Sequence, residues 1–124
     1  MSSLTITTRD AAIGPVLEIT GDLDHHTAPD LRKAVESLTL AAGQLLVLDL
    51  ARLDFCDSSG ISALISARSL ATEQGAGIAL AAVPANTARI MGIAGLDRVF
   101  TIHHDVAAVT AARSSDPSCR QSII

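Results

Sequence analysis

Leu4 to Thr8 (Leu-Thr-Ile-Thr-Thr) alternate apolar and polar, the pattern of a half-exposed strand. Gly14-Pro15 marks a turn, and Val16, Leu17 and Ile19 form a short apolar run that ends at Gly21. Together they predict a hairpin with one strand near a sheet edge. Thr27-Ala28-Pro29-Asp30 reads as a helix start. Thr27 is placed to cap, Pro29 suits the first turn, and Asp30 has capping-box spacing at the positive end of the helix dipole. Leu31, Val35 and Leu38 give this helix one apolar face, with its end expected near Gly43. Leu45-Leu46-Val47-Leu48 is continuously apolar and predicts a central strand buried on both faces.

A second helix is expected after Ser58-Ser59-Gly60. Ile61, Leu64, Ile65 and Ala71 form its apolar face, Ser62, Ser66, Ser69 and Glu73 its polar face, and Gly75 and Gly77 end it. Ile78 to Val83 predicts a strand closed by Pro84. A short helix over 86–94 carries Ile90, Met91 and Ile93, with Gly95 at its C-terminus. Val99 to Ile102 is a last strand, and 105–113 a last helix capped by Asp105. The order is ββαβαβαβα: an α/β fold with a mixed, mostly parallel sheet of about five strands and four helices. Residues 1–113 read as one domain. Residues 114–124, rich in Ser, Asp and Pro, are expected to form a flexible tail.

Composition narrows the picture. The chain has 124 residues, enough to bury roughly two-thirds of its unfolded surface in one core. Hydrophobic residues make up 48% and charged residues 18%, which excludes a disordered chain. There is no Trp or Tyr, so base stacking on aromatic platforms is unavailable. A net charge of −4 lacks the basic footprint of a nucleic-acid binder, so no direct nucleic-acid contact is expected. Cys56 and Cys119 do not form a disulfide framework, no signal peptide is visible, and no apolar run approaches the roughly 18 residues of a membrane span. A cytoplasmic chain without membrane insertion is the default expectation.

Function is expected where parallel strands end. Two segments, read as adjacent loops, stand there: Gly21-Asp22-Leu23-Asp24-His25-His26-Thr27 and Asp54-Phe55-Cys56-Asp57-Ser58-Ser59-Gly60. They would gather Asp22, Asp24, Asp54 and Asp57 at one end of the domain. Asp57 or Ser58 is a natural N-cap for the second helix, which places the Ser58 hydroxyl at the positive end of a helix dipole. Taken alone, Asp-Ser-Ser-Gly is more often simply a good cap, with Gly60 allowing close packing. Other chemistry fits less well. A phosphoacceptor receiver domain needs a lysine near the last strand, and Lys33, the sole lysine, lies in the first helix. A serine hydrolase elbow needs flanking glycines that Ser58 and Ser59 lack. Cys56 precedes an acidic residue that would raise its pKa, which opposes a nucleophilic role. His25-His26 and His103-His104 have no metal-ligand spacing, so neither metal nor cofactor is expected.

Three segments in order, Gly21-Asp22-Leu23-Asp24-His25-His26-Thr27-Ala28, Asp57-Ser58-Ser59-Gly60 and Gly95-Leu96-Asp97-Arg98-Val99-Phe100, resemble the bacterial anti-sigma factor antagonists, the free-standing STAS domains. The resemblance runs over residues 4 to 112. It implies a STAS-like fold and a non-enzymatic regulator that binds an anti-sigma factor serine kinase and releases the sigma factor. It further implies that Ser58 is phosphorylated by that kinase, which switches the antagonist off, and that a serine phosphatase resets it. Asp24 matches the family's acidic position beside the acceptor, and Asp57 and Ser59 match its flanking residues. Asp22, Asp24, Asp57, Ser58, Ser59 and Gly60 are thus the expected partner-binding residues. Asp24, in a polar loop, is expected to serve phosphorylation and not the fold. Cys56 stands where the family is usually apolar, and the tail from Ser114 has no family counterpart. The alternative within the same fold is a non-phosphorylated adaptor subunit of a signalling or membrane-transport complex.

Overall fold

The computed structural model describes residues 4–115. Its elements are β1 (Leu4–Ala11), β2 (Gly14–Leu23), α1 (Ala28–Glu36), β3 (Leu45–Cys56), α2 (Ser58–Glu73), β4 (Gly77–Ala81), α3 (Ala85–Ala94), a 3₁₀ turn (Leu96–Arg98), β5 (Thr101–His103) and α4 (Val106–Ser115). The five strands form one sheet in the order β1-β2-β3-β4-β5. β1 pairs antiparallel with β2, and the other three pairings are parallel. The chain is therefore the α/β fold that its alternation of periodicities predicts, with β1 at an edge.

Strand alternation divides the interior into two layers. Leu17, Ile19, Leu46, Leu48, Leu50, Ile78 and Leu80 point to one face and pack against α1 and α2, through Leu31 and Val35 and through Ile61, Leu64, Ala67 and Ala71. Val16, Val47, Ala79 and Ala81 point to the other face, where Val109 of α4 covers them. β3 is thus buried on both faces along its first half, as its continuous apolar run predicts. Beyond Leu50, Ala51, Arg52, Asp54 and Phe55 are exposed.

Several expected boundaries are corrected. α1 stops at Glu36 rather than near Gly43: Ser37 N–H makes the last helical bond, to the Lys33 carbonyl at 3.0 Å, and Leu38 N–H then turns to the Val35 carbonyl at 3.1 Å. Side chains then hold the following loop. Gln74 Oε1 accepts from Leu40 N–H at 2.8 Å, and Gln44 Oε1 from Ala41 N–H at 2.8 Å. Thr27 makes no side-chain cap bond to α1, so the expected capping box is absent. Ile65, expected on the buried face of α2, is exposed, and the helix buries Ala63 instead. Ile90 and Ile93 of α3 also face outward, and only Thr87 and Met91 of that helix are buried. Asp105 caps α4 as expected, its Oδ1 accepting from Ala108 N–H at 2.7 Å, and the helix runs to Ser115. The expected tail beyond that residue, with Cys119, lies outside the described residues.

Candidate functional site

β2 and β3 run parallel and end side by side, with Asp22 opposite Phe55 and Leu23 opposite Cys56. What the sequence suggests are two loops are largely strand: β2 runs to Leu23 and β3 to Cys56, so Asp57 alone links β3 to α2. The pairing is irregular, because one step on β2, from Gly21 to Asp22, matches two steps on β3, from Leu53 to Phe55. Asp54 is the extra residue, a β-bulge.

Asp57 is the N-cap of α2. Its backbone is extended, and its Oδ1 accepts from Gly60 N–H at 3.0 Å. Its own N–H donates to the Leu23 carbonyl at 3.3 Å, which ties the helix start to the end of β2. Of the two capping candidates, Asp57 takes the role, and Ser58 is the first helical residue, exposed to solvent. Ser59 is half-buried. Gly60 is buried, and a Cβ there would lie 2.5 Å from the Leu23 carbonyl oxygen and 2.7 Å from Cys56 Sγ. Without a side chain it lets α2 start directly against the two strand ends.

Asp24 differs from its expected placement. It is buried, at 9% exposure, and its Oδ1 accepts from His26 N–H at 2.9 Å and Thr27 N–H at 3.1 Å. The carboxylate shapes the turn between β2 and α1, as short acidic side chains commonly do. Thr27 locks the same turn from the other side. Its buried hydroxyl donates to the Asp22 carbonyl at 2.7 Å and accepts from Asp24 N–H at 2.9 Å. Sequence reasoning gives Thr27 a capping role and misses this one, which depends on the turn folding back on itself. His25 and His26 are exposed at the tip, their rings edge to face with centroids 5.6 Å apart.

Cys56 is buried beneath the site. Burial, and secondarily the adjacent Asp57, push its thiol from an ordinary 9.0 up to about 11, so it stays protonated and unreactive at neutral pH. No three or more His, Cys, Asp or Glu side chains are grouped to hold a metal ion among the described residues. No helix among them is long and apolar enough to cross a membrane.

The site thus brings together Asp22, Asp24, Asp57, Ser58 and Ser59 at one pole, and of these Ser58 is the exposed hydroxyl at a helix start. Sequence reasoning passed over Phe55 there. Its signal was a lone aromatic between Asp54 and Asp57, in a chain with two Phe and no other aromatic of the Phe, Trp and Tyr group.

A family model described as "Mlab, STAS domain" matches residues 6–103. The chain is 29% identical over 97 residues to an anti-sigma F factor antagonist of Paenibacillus polymyxa, covering 77% of this chain and 83% of that protein. The crystal structure of an anti-sigma factor antagonist from Mycobacterium paratuberculosis superposes with a TM-score of 0.73 at 29% identity, over 90% of this chain and 95% of that one. A sulfate transporter family protein from Wolinella succinogenes shares the fold, with a TM-score of 0.68 at 17% identity, over 79% and 83% of the two chains.

Proposed function

The chain belongs to the STAS domain family, and from that premise we propose that it is an anti-sigma factor antagonist whose binding to an anti-sigma factor serine kinase is switched off by phosphorylation of Ser58. The observation that carries this reading is the position of Ser58. It is the exposed first residue of α2, directly after the Asp57 cap and beside the end of β2. An acceptor hydroxyl must reach a kinase active site, and this one does so without unfolding anything. The first amides of a helix and its dipole also tolerate the added phosphate.

The switch follows from charge. A phosphoserine adds about −1.5 to −2 charges at pH 7. It would stand next to Asp57 and near Asp22 and Asp24, on a chain whose net charge is already −4. A docked partner would meet a large solvated dianion where it had met a hydroxyl. Asp22, Asp24, Asp57 and Ser59 then act as the surroundings of the acceptor, and a serine phosphatase restores the binding form. In this reading the chain is a kinase substrate and has no catalytic residue of its own.

Incubation with ATP and the anti-sigma factor kinases of the source organism, followed by intact-mass measurement, tests it. One addition of about 80 Da is expected for the wild type and for Ser59→Ala, and none for Ser58→Ala (the mass of one phosphoryl group on a serine). Modification of Ser58→Ala with loss in Ser59→Ala overturns the assignment. Absence of modification by every such kinase favours the adaptor reading, in which the serine pair is a contact surface only; the sulfate transporter family relative motivates that reading.

A further inference from the structure

We propose that Phe55 is the aromatic anchor of the docking surface, and that the partner presents an apolar socket rimmed by Arg or Lys to receive it; this rests on the antagonist reading above. Single exposed apolar side chains are ordinary on protein surfaces. Phe55 differs because a specific irregularity turns it out. A first register shift, between Asp49 and Arg52, brings Leu53 to the face of Leu48 and Leu50, and alternation continued from Leu53 would bring Phe55 into the core beside it. The bulge at Asp54 resets the alternation, so that Leu53 and Cys56 are buried and Phe55 stands 52% exposed. The chain buries a small thiol and leaves its larger aromatic in water. The other phenylalanine, Phe100, is 3% exposed.

The position is rigid. Phe55 is still paired with Asp22 in the β2–β3 ladder, and Cys56 behind it packs in the main core. Cys56 belongs to the core cluster on the side of α1 and α2, so strand alternation puts Phe55 on the opposite face, where Val109 of α4 packs with Val16, Val47, Ala79 and Ala81. Two residues, Cys56 and Asp57, separate Phe55 from Ser58, so the two Cα atoms are at most about 11 Å apart. One partner can therefore touch both. Aromatic side chains held rigidly at the centre of a patch are enriched in the desolvated parts of interfaces. The charges around it are mostly of one sign: Asp54 adjoins it, Asp22 faces it across the ladder and Asp57 follows, against Arg52. A basic rim around an apolar socket is the complement of that arrangement. Phosphate on Ser58 would then disturb the rim as well as the contact at the hydroxyl.

The experiment is a titration of wild type, Phe55→Ala, Phe55→Leu and Phe55→Trp with the purified anti-sigma factor kinases of the source organism, in ADP so that no phosphoryl group is transferred. Phe55→Ala should raise Kd at least tenfold, with Phe55→Leu intermediate and the melting temperatures of both unchanged. The chain has no Trp, so the single indole of Phe55→Trp reports on this position alone. Its emission should move to shorter wavelength on binding. Equal Kd for wild type and Phe55→Ala overturns the anchor and leaves the antagonist reading standing. No binding by the wild type overturns the antagonist reading and the anchor with it. Concentration-dependent self-association lost in Phe55→Ala assigns the face to a second copy of the chain and also overturns the proposal.

Discussion

Asp24 has a structural task, because its buried carboxylate accepts from the N–H groups of His26, at the exposed tip of the turn, and of buried Thr27. Removing the acceptor of a buried donor such as the Thr27 N–H costs about 1–3 kcal/mol. Asp24→Ala should therefore lose stability in that range in urea unfolding. Asp24→Asn keeps an acceptor oxygen and should lose clearly less. A stable Asp24→Asn protein that is phosphorylated slowly would identify a second task at the acceptor site, beyond the turn. Cys56 is the other residue whose environment has a measurable consequence. The folded chain holds its proton more tightly than an unfolded thiol does, with about 11 against 9.0. The stability linked to this group is complete below pH 9 and is lost as pH rises towards 11. With no tyrosine to titrate in the same window, Cys56→Ala should flatten the alkaline fall in stability measured between those values. An unchanged slope would remove Cys56 as its cause.

At the scale of elements, the start of α2 is where packing and function meet. Asp57 closes the helix with a bond to Gly60 N–H and also joins it to the Leu23 carbonyl. Gly60 lets the helix backbone touch both strand ends, since any Cβ would run into a backbone carbonyl and a buried sulfur. Gly60→Ala should thus destabilise the chain by about 1–3 kcal/mol, the usual cost of overpacking. The helix gain of alanine over glycine, about 1 kcal/mol, would offset only part of it. Thermal unfolding reads the difference directly. For a domain of this size, each kcal/mol lowers the midpoint by roughly 4 °C or more. A Gly60→Ala midpoint at or above wild type would mean that the strand ends yield easily to the helix.

For the whole molecule, the expected switch acts on the surface and leaves the fold in place. Ser58 is exposed, and its addition of charge falls at a helix N-terminus. Phosphorylated and unphosphorylated chains should have superimposable far-UV circular dichroism and amide-exchange protection in β2, β3 and α2. The affinity for the anti-sigma factor should still fall. Ser58→Asp carries less charge than a phosphate and should fall between the two. Loss of protection across α2 on phosphorylation would point instead to a conformational switch.

The order of strands and helices, the hairpin edge, the doubly buried β3 and the capping segment at Asp57 were legible in the amino-acid sequence. Each depends on a local period or a local cap, and the core residues repeat at 2 or at about 3.6. The Asp-Ser-Ser-Gly string placed Ser58 at a helix start for the same reason, while its expected role as acceptor came from the family resemblance and not from the local pattern. The rest depended on what lies across the sheet. Whether Phe55 or Cys56 enters the core is decided by the pairing of β3 with β2, where Asp54 has no partner. Ala63 is buried and Ile65 exposed, a choice of helix face that the helix's own apolar pattern leaves open and its packing settles. Asp24 is a structural residue only once Thr27 folds back onto Asp22. A strand slipped by one residue exchanges its two faces, and the register that prevents it comes from the neighbouring strand, which no local window of sequence contains.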